Sequence, residues 1–132
     1  KLYNHKASNH AQIAIQKLQM IPPEKGKEFL PEELLGKQKF HSTWGRLKWD
    51  EASPTIDTRF DAASNGTNNH PVLNRSITPR EAARIQSFDD TYIFYGTKVA
   101  VRTQIGNAVP PLMAKAIADK IYNDTVDEQG EQ

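Results

Sequence analysis

The 132-residue sequence contains no cysteine. A disulfide framework, a cysteine-ligated zinc or iron–sulfur site and a thiolate nucleophile are therefore excluded within this chain. It also lacks any apolar run approaching the ~20 residues of a membrane helix, which excludes an α-helical span. No initiating methionine and no secretory-type apolar stretch stand at Lys1-Leu2-Tyr3-Asn4-His5, so the sequence reads as cut from, or processed out of, something longer. Nor does one sign of charge dominate, since 17 basic and 16 acidic side chains leave +1 overall. Hydrophobic residues make up 37% and charged ones 25%. That is a globular composition on the polar side, in a chain of one-domain size that is short for a complete cofactor-dependent enzyme.

The charge is unevenly spread. Asn123 to Gln132 holds Asp124, Asp127, Glu128 and Glu131 without a base, leaving seventeen bases against twelve acids in the 122 residues before it. A mildly basic body with an acidic tail suits a polyanionic partner, and suits a solvated surface equally well.

Composition divides the chain into four stretches. Residues 1–39 read as a helix and a linker. Ser8 or Asn9 is a plausible N-cap, Ile13, Ala14, Leu18 and Ile21 recur at helical spacing, and Pro22-Pro23 stops the run. Pro22 to Phe40 has no period and reads as irregular. Residues 40–77 read as strand-like: Thr55, Ile56, Thr58 and Phe60 are β-formers bounded by Pro54 and by the small polar loop Asp61 to Asn69. Phe40 to Trp49 suggests a second strand broken at Gly45, and His70 to Leu73 a short extended piece. Residues 78–122 are helical. Thr78-Pro79-Arg80-Glu81 combines an N-cap threonine, a first-turn proline and a glutamate for a capping box, with the helix running to about Ser87. Another helix starts at Pro110-Pro111, with Leu112, Met113, Ala116, Ile117 and Ile121 along one side. Between these helices, Gln104 to Val109 reads as a glycine–asparagine turn into a helix N-terminus. Residues 123–132 form the acidic tail, which resembles a disordered segment.

Chemistry-bearing clusters are few. His5, His10, His41 and His70 are not at metal-ligand spacing, so no metal site is expected. Asp89-Asp90 reads as a surface turn of acids. Arg46, Lys48 and Arg59 flank Trp44, Trp49 and Phe60, with Asn65, Thr67, Asn68 and Asn69 nearby. Bases interleaved with aromatics and amides are what phosphate contact and base-edge reading require, and a solvated edge over a packed tryptophan would give the same pattern.

Two longer segments are more specific. Asn74-Arg75-Ser76-Ile77-Thr78-Pro79-Arg80-Glu81-Ala82-Ala83-Arg84-Ile85-Gln86-Ser87-Phe88 resembles the ninth motif of the cytosine-5 DNA methyltransferases. Gln104-Ile105-Gly106-Asn107-Ala108-Val109-Pro110 resembles their tenth, in the same order and with a similar gap. Gly45-Arg46-Leu47 and Ser53-Pro54-Thr55-Ile56-Asp57-Thr58-Arg59-Phe60 resemble the target-recognition region of bacterial members. The family's glycine-rich cofactor loop, its Pro-Cys nucleophile and its Glu-Asn-Val acid have no counterpart here. In that family the thiolate attacks carbon 6 of a cytosine flipped from the duplex, and the methyl group is then transferred to carbon 5.

The resemblance implies an α+β chain: a small irregular β-rich target-recognition region followed by helices that belong to a Rossmann-like methyltransferase domain. It implies DNA contacts from Arg46, Lys48, Thr55, Arg59, Asn65 and Asn68, with Thr55-Ile56 matching the family's Thr-Leu pair beside the flipped base. Asn107 and Ala108 match positions lining the methionine end of S-adenosylmethionine, a cofactor expected of the complete enzyme and not of this chain alone; Ala108 stands where some members have serine. Arg80 and Glu81 match framework positions. No catalytic residue is expected here. The implied partners are double-stranded DNA and a catalytic domain or larger subunit, with homodimerisation through the Leu112, Met113, Ile117 and Ile121 stripe in isolation, in a bacterial cytoplasm. A stand-alone DNA-binding module and a catalytically dead remnant remain open as rival readings.

Overall fold

The computed structural model describes residues 1–36 and 42–130, with side chains described to residue 126. The strand expected from Phe40 therefore begins outside the described residues, as do His41 and the last residues of the acidic tail. Helix α1 spans Gln12–Met20, a 3₁₀ turn Lys27–Phe29, α2 Glu32–Leu35, α3 Pro79–Ile85, α4 Lys98–Gly106 and α5 Pro111–Gly130.

The β-rich expectation is overturned. Among the described residues there is no strand, only two isolated bridges, Arg46 with Asn69 and Asn69 with Ser76. The reasons are local. Asp57 Oδ1 accepts from the Arg59 N–H at 2.8 Å and Asp57 Oδ2 from Asn65 Nδ2 at 2.8 Å, so the aspartate curls the backbone into a turn where the β-formers stand. Ile56 and Phe60 are both buried, and the turn at Thr58 to Phe60 carries them into one core without any ladder partner. Upstream, Trp44 has φ 62°, a left-handed conformation that interrupts any extended run.

The helices follow the sequence more closely up to Tyr122, but α5 runs on to Gly130 through the acidic stretch expected to resemble a disordered tail. Helix α1 starts at Gln12 behind Ala11 with no side-chain cap, because Ser8 Oγ donates to Asp61 Oδ2 and His10 Nε2 accepts from the Ser76 N–H. The irregular stretch after Pro22 holds the 3₁₀ turn and the single turn α2. Helix α3 has both halves of its capping box: Thr78 Oγ1 accepts from the Glu81 N–H, and the Glu81 carboxylate accepts from the Thr78 N–H. Helix α4 is capped by Thr97 and takes in Gln104 to Gly106, which the sequence placed in a turn.

Two apolar cores result. The larger joins Leu47, Ile56, Phe60 and Ile77 to Ala82 and Ala83 of α3, Phe94, and Val101 and Ile105 of α4. The smaller gathers Leu18, Ile21, Leu30, Trp44 and Ala63 beneath α1. Helix α5 contributes to neither, and Leu112 onward is exposed on every described face. No helix among the described residues is long and apolar enough to cross a membrane.

Arg80 locks the N-terminal segment to this body. Its side chain is 0% exposed and donates to the carbonyls of Tyr3, Asp89 and Tyr92, while its own N–H donates to the Asn4 carbonyl. Asn4 in turn exchanges two hydrogen bonds with the Phe94 backbone. Arg80 and Glu81 are framework residues, as their spacing implied.

Candidate nucleic-acid interface

Three chain segments converge beyond the C-terminal end of α3. Gln86 Nε2 donates to the Ile105 carbonyl at 3.0 Å, holding the last turn of α4. Ser87, left-handed at φ 64°, turns its Oγ to accept the Leu112 N–H at 3.1 Å, which fixes the start of α5. Gly106 lies so close to the Asp57–Thr58 peptide that a Cβ there would sit 2.5 Å from backbone atoms. Only glycine permits this approach of α4 to the chain after Thr55.

Between these segments lies a cavity of about 310 Å³, lined on one side by Ser53 to Ile56 and on the other by Ile85, Gln86, Gly106, Ala108 and Pro110. The structure therefore brings together Thr55, expected at DNA, and Ala108, expected at the cofactor. Asn107 is the C-cap of α4; its side chain is exposed and has no partner among the described residues.

The other expected DNA residues fall into two groups. Lys48 and Arg59 are exposed, Lys48 in an ion pair with Glu51 at 2.7 Å and Arg59 with no ion pair among the described residues. Asn65 and Asn68 serve the loop itself: Asn65 Nδ2 holds Asp57, and the buried Asn68 donates from Nδ2 to the Asn65 carbonyl at 2.9 Å.

Arg46 requires correction. It is 3% exposed, and all five guanidinium N–H groups are committed within the chain, to the carbonyls of Leu18, Ile21, His70 and Leu73 and to Asn74 Oδ1. No donor is left for a phosphate or a base. A buried cation with a full set of acceptors is an organising centre. Burial also pushes its pKa below the ordinary arginine value. The sequence gives the type and place of this residue correctly but not its direction, because arginine serves a backbone cage and a DNA contact with the same donors.

The three described histidines act in structure. His5 meets Thr78 Oγ1 at 3.0 Å, His10 caps the Ser76 N–H, and His70 accepts from the Val72 and Leu73 N–H groups. Burial lowers the pKa of His10 and of His70, in keeping with neutral acceptor rings. Among the described residues no three His, Asp or Glu side chains gather as metal ligands.

Sequence reasoning missed Gln86 and Ile85 as cavity walls. Their signal was present, since both lie in the segment resembling the ninth motif, but only the fold turns that helix end towards Thr55.

A profile described as C-5 cytosine-specific DNA methylase matches residues 2–123. The chain is 44% identical over 89 residues to the type II methyltransferase M.AgeI of Thalassovita gelatinovora, covering 67% of this chain and 20% of that protein. It is 34% identical over 128 residues to the type II methylase M.HgiDII of Herpetosiphon aurantiacus, covering 89% and 36%. To the type II methyltransferase M1.HphI of Haemophilus parahaemolyticus it is 32% identical over 127 residues, covering 96% and 33%. The chain thus spans between 20% and 36% of the length of these relatives.

Proposed function

This chain belongs to the C-5 cytosine-specific DNA methylase family, and from that membership we propose that it is the DNA-gripping portion of a cytosine-5 DNA methyltransferase whose nucleophile lies on another segment or subunit. The observation that carries the reading is the cavity where Thr55 and Ala108 meet in a chain with no cysteine. Thr55 donates its hydroxyl to the phosphate backbone of the modified strand, and Arg59, which has no ion pair among the described residues, adds charge along the same strand. The loop from Asp61 to Asn69, held in shape by Asn65 and Asn68, presents its edge to the bases.

The residues present fit one edge of a cofactor pocket. Asn107, beside the cavity, offers an uncommitted amide, and Ile85 and Pro110 give the Ala108 side of the cavity an apolar wall. S-adenosylmethionine, when bound, supplies the methyl group, and Asn107 and Ala108 hold its methionine end. The paired prolines at the start of α5 remove N–H donors that a helix N-terminus would otherwise offer, so the remaining contacts come from elsewhere.

The test mixes this chain with the polypeptide carrying the Pro-Cys and glycine-rich segments, and measures transfer of labelled methyl groups to duplex DNA. Activity and sequence preference that need both components support the reading. A partner fully active and equally selective without this chain, or a chain that methylates cytosine alone, overturns it.

A further inference from the structure

The chain has two tryptophans, and they are placed oppositely: Trp44 is 5% exposed, whereas Trp49 is 65% exposed. Trp49 is nonetheless held in place. Its backbone N–H donates to Glu24 Oε1 at 2.7 Å, and the Glu24 backbone N–H donates to the Pro71 carbonyl at 3.0 Å. Its ring meets the His70 imidazole edge-on, with centroids 5.7 Å apart and planes at 85°. His70 is fixed by the two N–H groups donated to its Nδ1, which leaves its proton on Nε2. An indole braced in this way and open to water is a preorganised flat surface.

Trp49 stands over a groove of about 590 Å³ that also takes in Leu47, Ile77, Arg84 and Ile85. The charges around it are paired: Lys48 with Glu51, Glu81 with Arg75, and Arg84 with Asp90. Neutralised walls hold little attraction for phosphate and suit an uncharged planar group. Ser53 and Ile85 line both this groove and the Thr55 cavity, so the two adjoin.

We propose that Trp49 is a stacking platform for an unpaired nucleobase of the DNA strand held at Thr55. The inference rests on the DNA-gripping role argued above. Stacking would be tolerant of base identity, because every base offers a π-face.

The assembled enzyme is titrated with three probes: a fully paired duplex of mixed sequence, the same duplex with one bulged base, and the single strand. Binding is read by anisotropy of a labelled probe, and Trp49 emission as the difference between wild type and W49F on unlabelled probe. The bulged duplex and the single strand are expected to quench Trp49 strongly and the paired duplex weakly. W49A is expected to lose affinity for the bulged duplex about 5- to 100-fold, with W49F near wild type. The buried-type emission of Trp44 in isolated W49A reports that the fold is intact. Unchanged Trp49 emission on bound probe, or W49A binding like wild type, overturns the platform and leaves the DNA-gripping role standing. Emission that shifts when the catalytic segment is added without DNA, and then ignores DNA, makes the groove a joint between segments and also overturns it. An assembly that binds none of the probes removes both proposals.

Discussion

Arg46 ties the end of α1 to the chain at His70 to Asn74 from the inside. Its removal leaves four carbonyls and the Asn74 amide oxygen without a donor in a buried site. Arg46→Ala is expected to cost about 3–5 kcal/mol, and Arg46→Lys most of that, since an ammonium offers three donors and no planar fork. Urea denaturation of the isolated variants measures this, and a loss below about 1 kcal/mol would contradict the cage. Thr55 and Arg59 should behave the opposite way. Their alanine variants are expected to keep wild-type stability while the assembled enzyme binds DNA more weakly on all sequences, with a salt slope smaller by about one charge for Arg59. Glu81 supplies a pH signature. Burial opposes its charge, but the paired hydrogen bonds from Arg75 and the Thr78 N–H outweigh that and hold its pKa at about 2, against an ordinary 4.5. Because the folded value is depressed, its stabilisation is complete above pH 4.5 and is lost as pH falls towards 2. Thermal melts of wild type and Glu81→Gln should therefore differ by a constant amount, worth about 1–3 kcal/mol, at neutral pH and converge across that acid window.

Elements show where sequence signals suffice. Helix α3 was legible because its cap is local: threonine, proline and glutamate within four consecutive residues specify a helix start whatever surrounds them. Thr55 to Phe60 misled because β-formers say only that side chains are branched or aromatic, whereas Asp57 decided the backbone path through contacts with Arg59 and Asn65. Helix α4 escaped notice for the reverse reason. Val99, Val101, Thr103 and Ile105 alternate as in a strand, and the helix is selected by burial of Val101 and Ile105 one turn apart. At the candidate site, the residues of the cavity were legible as motif positions, whereas the meeting of Thr55 with Ala108 depends on the turn of α3 towards α4, which no spacing encodes. Gly106→Ala tests that junction. In an open helix the change would gain up to about 1 kcal/mol, but here the added carbon meets immobile peptide atoms, so a net loss of about 1–3 kcal/mol in thermal or urea unfolding is expected. A stabilised variant would show that the approach of α4 to Asp57 is looser than described.

At the scale of the whole molecule, α5 is the unfinished part. Leu112, Met113, Ile117 and Ile121 are between 47% and 68% exposed, and nothing among the described residues packs over them. Such a stripe on a 20-residue helix drives association. Light scattering of the chain alone is expected to show mass rising with concentration, and Ile117→Glu with Ile121→Glu to return it to a monomer and to weaken assembly with the catalytic segment. Strictly monomeric wild-type protein at all concentrations would count against that role.

The clasp between Asn4 and Phe94 has a consequence in time. These partners stand ninety positions apart, and Arg80 closes the same circuit from the middle. On a ribosome adding about 5–20 residues per second, Asn4 emerges several seconds before its partner Phe94. Closing so wide a loop carries an entropic cost that local helices avoid, so docking of the first residues should be a late event in refolding, slower than formation of α3.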